Sequence, residues 1–184
     1  MHTPAIDIRL LFESDIPAAM QLKEAAGWNQ TKADWRRLLS LEPNGCFAEV
    51  KDGRLVGTTT TTTYGNELAW IGMVLVDPQA RRQGIATQLL KVAMDYLKDR
   101  VATVKLDATA QGQPVYEGFG FEVESVVERW RGTTNRSGTD TPKAIRSRAS
   151  KSRVTWIIGV FALRGFAGPI HRSNMDSTAK PNRS

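Results

Sequence analysis

Cysteine is nearly missing from this chain: Cys46 stands alone among 184 residues. A lone thiol rules out an internal disulfide framework. Histidine is almost as scarce. His2 and His171 sit near the two ends, so a metal site would have to rest on carboxylates, and no ligand spacing of that kind is present. No apolar run reaches the roughly 18 residues that a membrane span needs. The first residues, Met-His-Thr-Pro-Ala-Ile-Asp, lack a charged start leading into an apolar stretch, so no secretory signal is expected. These absences favour a soluble, cytoplasmic protein with no transmembrane segment and no metal.

What is present divides unevenly. Hydrophobic residues make up 41%, enough for a sizeable core. The net charge of +6 splits into −3 over residues 1–130 and +9 over residues 131–184. That asymmetry marks a boundary. The expectation is one domain over residues 1–131 and a basic tail over residues 132–184. Gly132 to Thr139 is polar and turn-rich, and Arg146 to Arg153 is basic and serine-rich, so both read as disordered. The short apolar segment 154–166 reads as a docking helix, a membrane-surface segment or a sticky tail. On this reading a chain ending at Gly132 folds by itself.

The domain carries clear periodicities. Ile6, Ile8 and Leu10 alternate with polar residues as in a strand. Ser14 is the expected N-cap of a helix with Pro17 in its first turn. Thr31 and Asp34 have capping-box spacing ahead of Trp35, Leu38 and Leu39. Cys46 to Val50 and Leu55 to Tyr64 read as a hairpin about Lys51-Asp52-Gly53. Thr58 to Thr63, six consecutive threonines, suit a strand with one partly exposed face, or a strand that hydrogen-bonds a ligand. Leu68 to Val76 is apolar enough for the centre of a sheet, with Gly72 marking a bulge or a close approach. Ile85, Leu89, Val92, Ala93 and Tyr96 form a helical stripe. Val101 to Leu106 is a strand, Gln111 to Glu117 a short helix, and Phe121 to Trp130 a last strand.

Between the central strand and the long helix runs Asp77-Pro78-Gln79-Ala80-Arg81-Arg82-Gln83-Gly84-Ile85-Ala86-Thr87. A helix start leaves its first amides unbonded and carries partial positive charge. Arginines and small residues at that turn make a phosphate cradle. It is neither a Walker A loop nor a dinucleotide fingerprint, whose orders are absent. Read alone it is also an ordinary strand-to-helix turn with surface arginines. The order Arg81-x-x-Gly84-x-Ala86 resembles the acyl-coenzyme A signature of the GNAT N-acetyltransferases. Tyr116 to Phe121 resembles that family's Tyr-x-x-x-Gly-Phe segment. The resemblance covers roughly Ile6 to Trp130. It implies a mixed α/β fold, a mostly antiparallel sheet flanked by helices in the order β-α-α-β-β-β-α-β-α-β.

The resemblance also implies a reaction. An acetyl group would pass from acetyl-coenzyme A to a primary amine by direct transfer in a ternary complex, without a metal. Arg81, Arg82, Gln83, Gly84, Ile85, Ala86 and Thr87 would hold the pyrophosphate. Met73, Val74, Leu75 and Val76 would pair with the pantetheine arm, and a backbone amide there would stabilise the oxyanion. Tyr116 matches the family's general acid; otherwise it packs on the cofactor. Glu67 and Asp107 are the candidate bases, and neither is marked by a motif. Many members show asparagine near Asp107, so this chain departs there. Cys46 reads as a core residue. The acceptor is a small molecule or a peptide amine, and the protein a monomer or homodimer. Two other classes stand beside this reading. One is a non-catalytic acyl-coenzyme A sensor. The other is a nucleic-acid binder using the tail, which lacks any specific binding motif.

Overall fold

The structure, a computed structural model, describes residues 7–133 and 150–164. Its strands are β1 (Asp7–Leu10), β2 (Cys46–Lys51), β3 (Arg54–Tyr64), β4 (Leu68–Val76), β5 (Thr103–Ala108), β6 (Glu122–Thr133) and β7 (Ser150–Arg164). Its helices are α1 (Ile16–Ala25), α2 (Lys32–Leu41), α3 (Ile85–Leu97) and α4 (Gln113–Glu117). The seven strands form one sheet in the order β1-β2-β3-β4-β5-β7-β6. Among the described residues only β4 and β5 run parallel; the other neighbouring pairs are antiparallel. The mixed, mostly antiparallel fold class is as expected.

Local chemistry explains where the first helices begin. The Thr31 amide donates to Asp34 Oδ2 at 2.7 Å and the Asp34 amide to Thr31 Oγ1 at 3.3 Å, so the capping box forms. Ser14, the expected cap of α1, lies instead in a 3₁₀ turn, Glu13–Asp15, and Asp15 takes the N-cap position. The Asp15 carboxylate is occupied by two hydrogen bonds from Arg9, at 2.7 and 2.8 Å, and one from the Phe12 amide at 2.9 Å. Those bonds tie β1 to the start of α1 and displace the cap by one residue.

Helices cover the sheet on both faces. On one face α1 and α2 bury Ile16, Ala19, Leu22 and Trp35 against Cys46, Ala48, Leu55, Met73 and Leu75. On the other, α3 packs across β2, β3 and β4. Its buried set is Ile85, Leu89, Leu90, Ala93, Met94 and Leu97, while Val92 and Tyr96 are only half-buried. The stripe is wider than the expected one because α3 joins two clusters, one about Phe47 and Val56, the other about Val104 and Leu106.

Two expectations need correction. The threonine strand is not partly exposed along one face: Thr58 to Thr61 are all buried. Both faces of β3 are covered by helices, and two of its hydroxyls turn to the backbone. Thr58 Oγ1 donates to the Met73 carbonyl at 2.8 Å and Thr61 Oγ1 to the Gly45 carbonyl at 3.0 Å. The domain also does not end at residue 131. Residues 154–164 of the apolar segment expected in the tail lie in β7, which runs between β5 and β6 and pairs with both. Phe161 on β7 is buried against Leu106 and Tyr116 in the core. β5 would otherwise leave an apolar edge unpaired, and β7 supplies that partner. The rest of the expected tail, residues 134–149 and 165–184, lies outside the described residues.

Candidate active site

β4 and β5 part company halfway along. Leu68 to Ile71 pair with Thr103 to Leu106, and the parallel ladder stops there. β5 goes on with β7, through Asp107 opposite Val160 and Ala108 opposite Gly159. β4 goes on with β3 alone, from Gly72 to Val76. Among the described residues, the β5-facing edge of β4 therefore has no strand partner over the residues expected to meet the pantetheine arm, Met73, Val74, Leu75 and Val76. Backbone groups on such an edge need partners, and an extended amide chain can supply them.

A bulge opens that edge. Gly72 pairs with Thr60 and Leu75 with Thr58, so β4 carries one residue more than β3 over this stretch. Met73 adopts φ of +51°, which a non-glycine residue holds only when its surroundings impose it. The Thr58 hydroxyl bonded to the Met73 carbonyl is part of that imposition. The extra residue also changes which side chains face which helices. Before it, Ala69 and Ile71 pack on the α3 side; after it, Val74 and Val76 do.

β4 leads by a 3₁₀ turn, Pro78–Ala80, into the expected cradle. Arg82 has φ of +62° and Gly84, the N-cap of α3, has φ of +82°. No side chain caps this helix. The Gln88 amide donates to the Gly84 carbonyl at 3.0 Å, and the amides of Ile85, Ala86 and Thr87 precede that first intrahelical bond. A Cβ on Gly84 would meet only Gln88, at 3.8 Å, so the space in front of the turn is open. The side chain of Ile85 is buried, so only its amide can face a ligand. Gln83 is held from the β2–β3 hairpin, where Lys51 Nζ donates to Gln83 Oε1 at 2.8 Å. Arg54 in the same hairpin pairs with Asp77 at 2.7 Å. These residues fit a pyrophosphate by chemistry: amides without intrahelical partners, a helix start and cations, with the neighbouring Asp77 neutralised by Arg54.

Tyr116 lies in α4, which follows the free end of β5. It is 7% exposed and packs at 6.4 Å, centre to centre, from both Phe121 and Phe161. Gly112 lies against its ring: a Cβ there would come within 2.9 Å of it. Burial pushes the Tyr116 phenol up to about 12, so it stays protonated at neutral pH. Asp107 is the first β5 residue past the last β4 pairing, at the fork. Its side chain keeps contact with solvent, yet desolvation by the surrounding protein raises its carboxyl above the ordinary value. Glu67 lies at the other end of β4. Its carbonyl accepts from the Thr103 amide at 2.9 Å, helping to close the β4–β5 pair. Six residues of strand separate it from Met73, roughly 20 Å. The fold therefore brings Met73 to Val76, the cradle, Asp107 and Tyr116 to one end of the sheet and leaves Glu67 at the other. Cys46 is buried, with its thiol pushed up to about 12 by desolvation, as expected of a core residue.

Sequence reasoning missed Thr58 and Lys51. The first was hidden in a run with five identical residues. The second sat in a turn whose distance from the cradle, 32 positions along the chain, only the hairpin removes. Among the described residues no group of three or more His, Cys, Asp or Glu could hold a metal, and no helix is long and apolar enough to cross a membrane.

The chain is a mixed α/β protein whose sheet forks beside an uncapped helix start. Residues 11–121 match the profile of the Acetyltransferase (GNAT) family, and the chain belongs to that family. It is 32% identical to a mycothiol acetyltransferase of Mycobacterium sp. (strain JLS) over 114 residues, covering 56% of this chain and 38% of that protein. It is 29% identical to N-alpha-acetyltransferase 30 of Dictyostelium discoideum over 94 residues, covering 47% and 51%. The chain thus spans about half or less of the length of these relatives. Its fold resembles that of the ribosomal-protein-S18-alanine N-acetyltransferase of Escherichia coli, with a TM-score of 0.67 at 20% identity, covering 92% of this chain and 99% of that one. It also resembles a putative acetyltransferase from Salmonella typhimurium solved with its cofactor acetyl-CoA, with a TM-score of 0.62 at 13% identity, covering 98% and 99%.

Proposed function

We propose that this protein moves an acetyl group from acetyl-coenzyme A to a primary amine, by direct transfer while both substrates are bound. The observation that carries the reading is the fork after Ile71, next to an uncapped helix start on the same strand. The free edge of β4 holds the amide-bearing arm and presents its amides at the bulge to the acyl carbonyl. The amides of Ile85, Ala86 and Thr87, with Arg81 and Arg82, hold the pyrophosphate. The mobile charge of the reaction then falls near two titratable groups.

Tyr116 is the donor toward the departing sulfur. Its phenol, at about 12, is a weaker acid than a free thiol at roughly 8.5. Its main service is therefore a hydrogen bond to the developing thiolate rather than early delivery of a proton. Asp107 is the group that accepts the amine proton, directly or through water, because it stands at the fork while Glu67 does not. Its raised carboxyl pKa makes it a better base than an ordinary aspartate.

The acceptor class follows the relatives' names: a small thiol conjugate for one and an N-terminal amine for another. Thiol release from acetyl-coenzyme A, measured against a panel of both kinds of acceptor, tests the reading. Direct transfer requires intersecting initial-rate lines when both substrates are varied. Parallel lines would point to an acyl-enzyme and exclude direct transfer. Binding of coenzyme A without turnover of any acceptor would favour the sensor role instead.

A further inference from the structure

Beside the cradle stands a cation that the pyrophosphate does not need. Lys51 ends β2 and reaches across the hairpin to Gln83 in the cradle loop, Nζ to Oε1 at 2.8 Å. Its hairpin neighbour Arg54 is neutralised by Asp77. Lys51 makes no ion pair among the described residues; its hydrogen-bond partner is a neutral amide, and the buried Glu49 carboxyl on the same strand feels its charge without pairing with it. Because the Gln83 carbonyl accepts this bond, the Gln83 NH₂ is left as a donor on the same side of the loop.

The order of parts matters. From its thiol outward, coenzyme A runs through the pantetheine arm, the pyrophosphate and a ribose that bears a further phosphate monoester. From the fork outward, the protein runs through the free edge of β4, the start of α3, Gln83 and then Lys51. Lys51 lies on β2, two strands beyond β4 on the side away from β5. A phosphate that meets it is the one farthest from the thiol. Resting on the acetyl-coenzyme A reading above, we propose that Lys51, with the Gln83 amide, binds the ribose phosphate and so makes the protein discriminate coenzyme A from its dephosphorylated form.

The test compares coenzyme A with 3′-dephospho-coenzyme A, titrated into the full chain and into Lys51→Met and Lys51→Arg at one ionic strength. The unchanged protein should bind coenzyme A about tenfold more tightly than the dephospho form. Lys51→Met should lose that preference by weakening coenzyme A alone, and Lys51→Arg should keep most of it. Equal weakening of both ligands in Lys51→Met would overturn the assignment while leaving the cradle in place. So would an unchanged protein that binds both ligands equally. If the unchanged protein binds neither ligand, both the cradle and this proposal fall. A thermal melt of each variant shows that the hairpin still folds.

Discussion

The two ends of this sheet are built on opposite terms. At one end β4 and β5 are stitched together. The Ala102 amide donates to the Asn66 carbonyl and the Thr103 amide to the Glu67 carbonyl, both at 2.9 Å. Beside them Glu42 accepts 2.6 Å bonds from Tyr96 and Thr63 hydroxyls, pinning the end of α2 to α3 and β3. Burial pushes the Glu42 carboxyl up, but these hydrogen bonds outweigh it and hold it below its usual value. Arg100 lies over the Tyr96 ring at 4.2 Å. At the other end the strands diverge, Met73 and Arg82 take left-handed backbone, and α3 starts without a cap. One end closes its polar groups on each other. The other leaves the first amides of α3 without intrahelical partners.

The sharpest break in the comparison is removal of β7. A chain ending at Gly132 should give no cooperative melt, because β5 loses its partner and Phe161 leaves the core; loss of such a ring alone costs about 3–5 kcal/mol. A folded, coenzyme-binding product would show that β7 is dispensable and restore the shorter domain.

Next in size is Tyr116→Phe, which keeps the ring against Phe121 and Phe161. Coenzyme A binding should stay, and turnover should fall by about 10²–10⁴. With the phenol at about 12, no alkaline loss from its ionisation is expected in an ordinary assay range, so the rate itself decides. Full activity in the variant leaves Tyr116 a packing residue.

Two glycines separate the ends directly. Gly84→Glu sets a carboxylate in the cradle, and coenzyme A affinity should drop more than tenfold, about 1.4 kcal/mol, in a protein that still folds. Gly84→Asn, which tolerates positive φ, is the neutral control. Gly45→Ala should do the reverse. Its Cβ would crowd Thr61, Glu42 and Tyr96, costing about 1–3 kcal/mol of stability and leaving affinity unchanged in the folded fraction. If both variants lose affinity equally, the ends are not separate.

The smallest effect concerns Glu49, 1% exposed, with Oε2 unpartnered. Desolvation raises its carboxyl above the ordinary value, and Lys51 opposes the rise. A raised folded pKa means that stability from this group is full below its unfolded value and is lost as pH rises through the folded one. Glu49→Gln should therefore gain about 2–5 °C in melting temperature at pH 8 and less at pH 4. An equal gain at both would show that ionisation is not the cause.

Local signals were readable where a short segment settles its own structure. Thr31 and Asp34 define a cap by spacing. Arg81-x-x-Gly84-x-Ala86 defines an open helix start because a glycine N-cap offers no side chain to fill it. The short helix that carries Tyr116 was legible from Pro114 in its first turn. Thr58 was not readable, since its role depends on a bulge in a different strand. Glu67 and Asp107 looked equivalent as candidate bases, because which end of a strand lies at the fork depends on where pairing stops. Segment 154–166 was misread because its partners, β5 and β6, are chosen by an edge that needs covering rather than by anything near it in the chain.

The sequence by itself determined the strand and helix order through β6 and the glycine-started turn into α3, since periodicity, caps and turn residues act within a few positions. The tertiary structure alone decided that β7 enters the sheet, that β4 leaves β5 after Ile71, that Asp107 stands at the fork while Glu67 does not, and that Lys51 reaches Gln83. Each of those rests on contacts between segments far apart in the chain, whose closing is driven by burial of surfaces that no single segment carries.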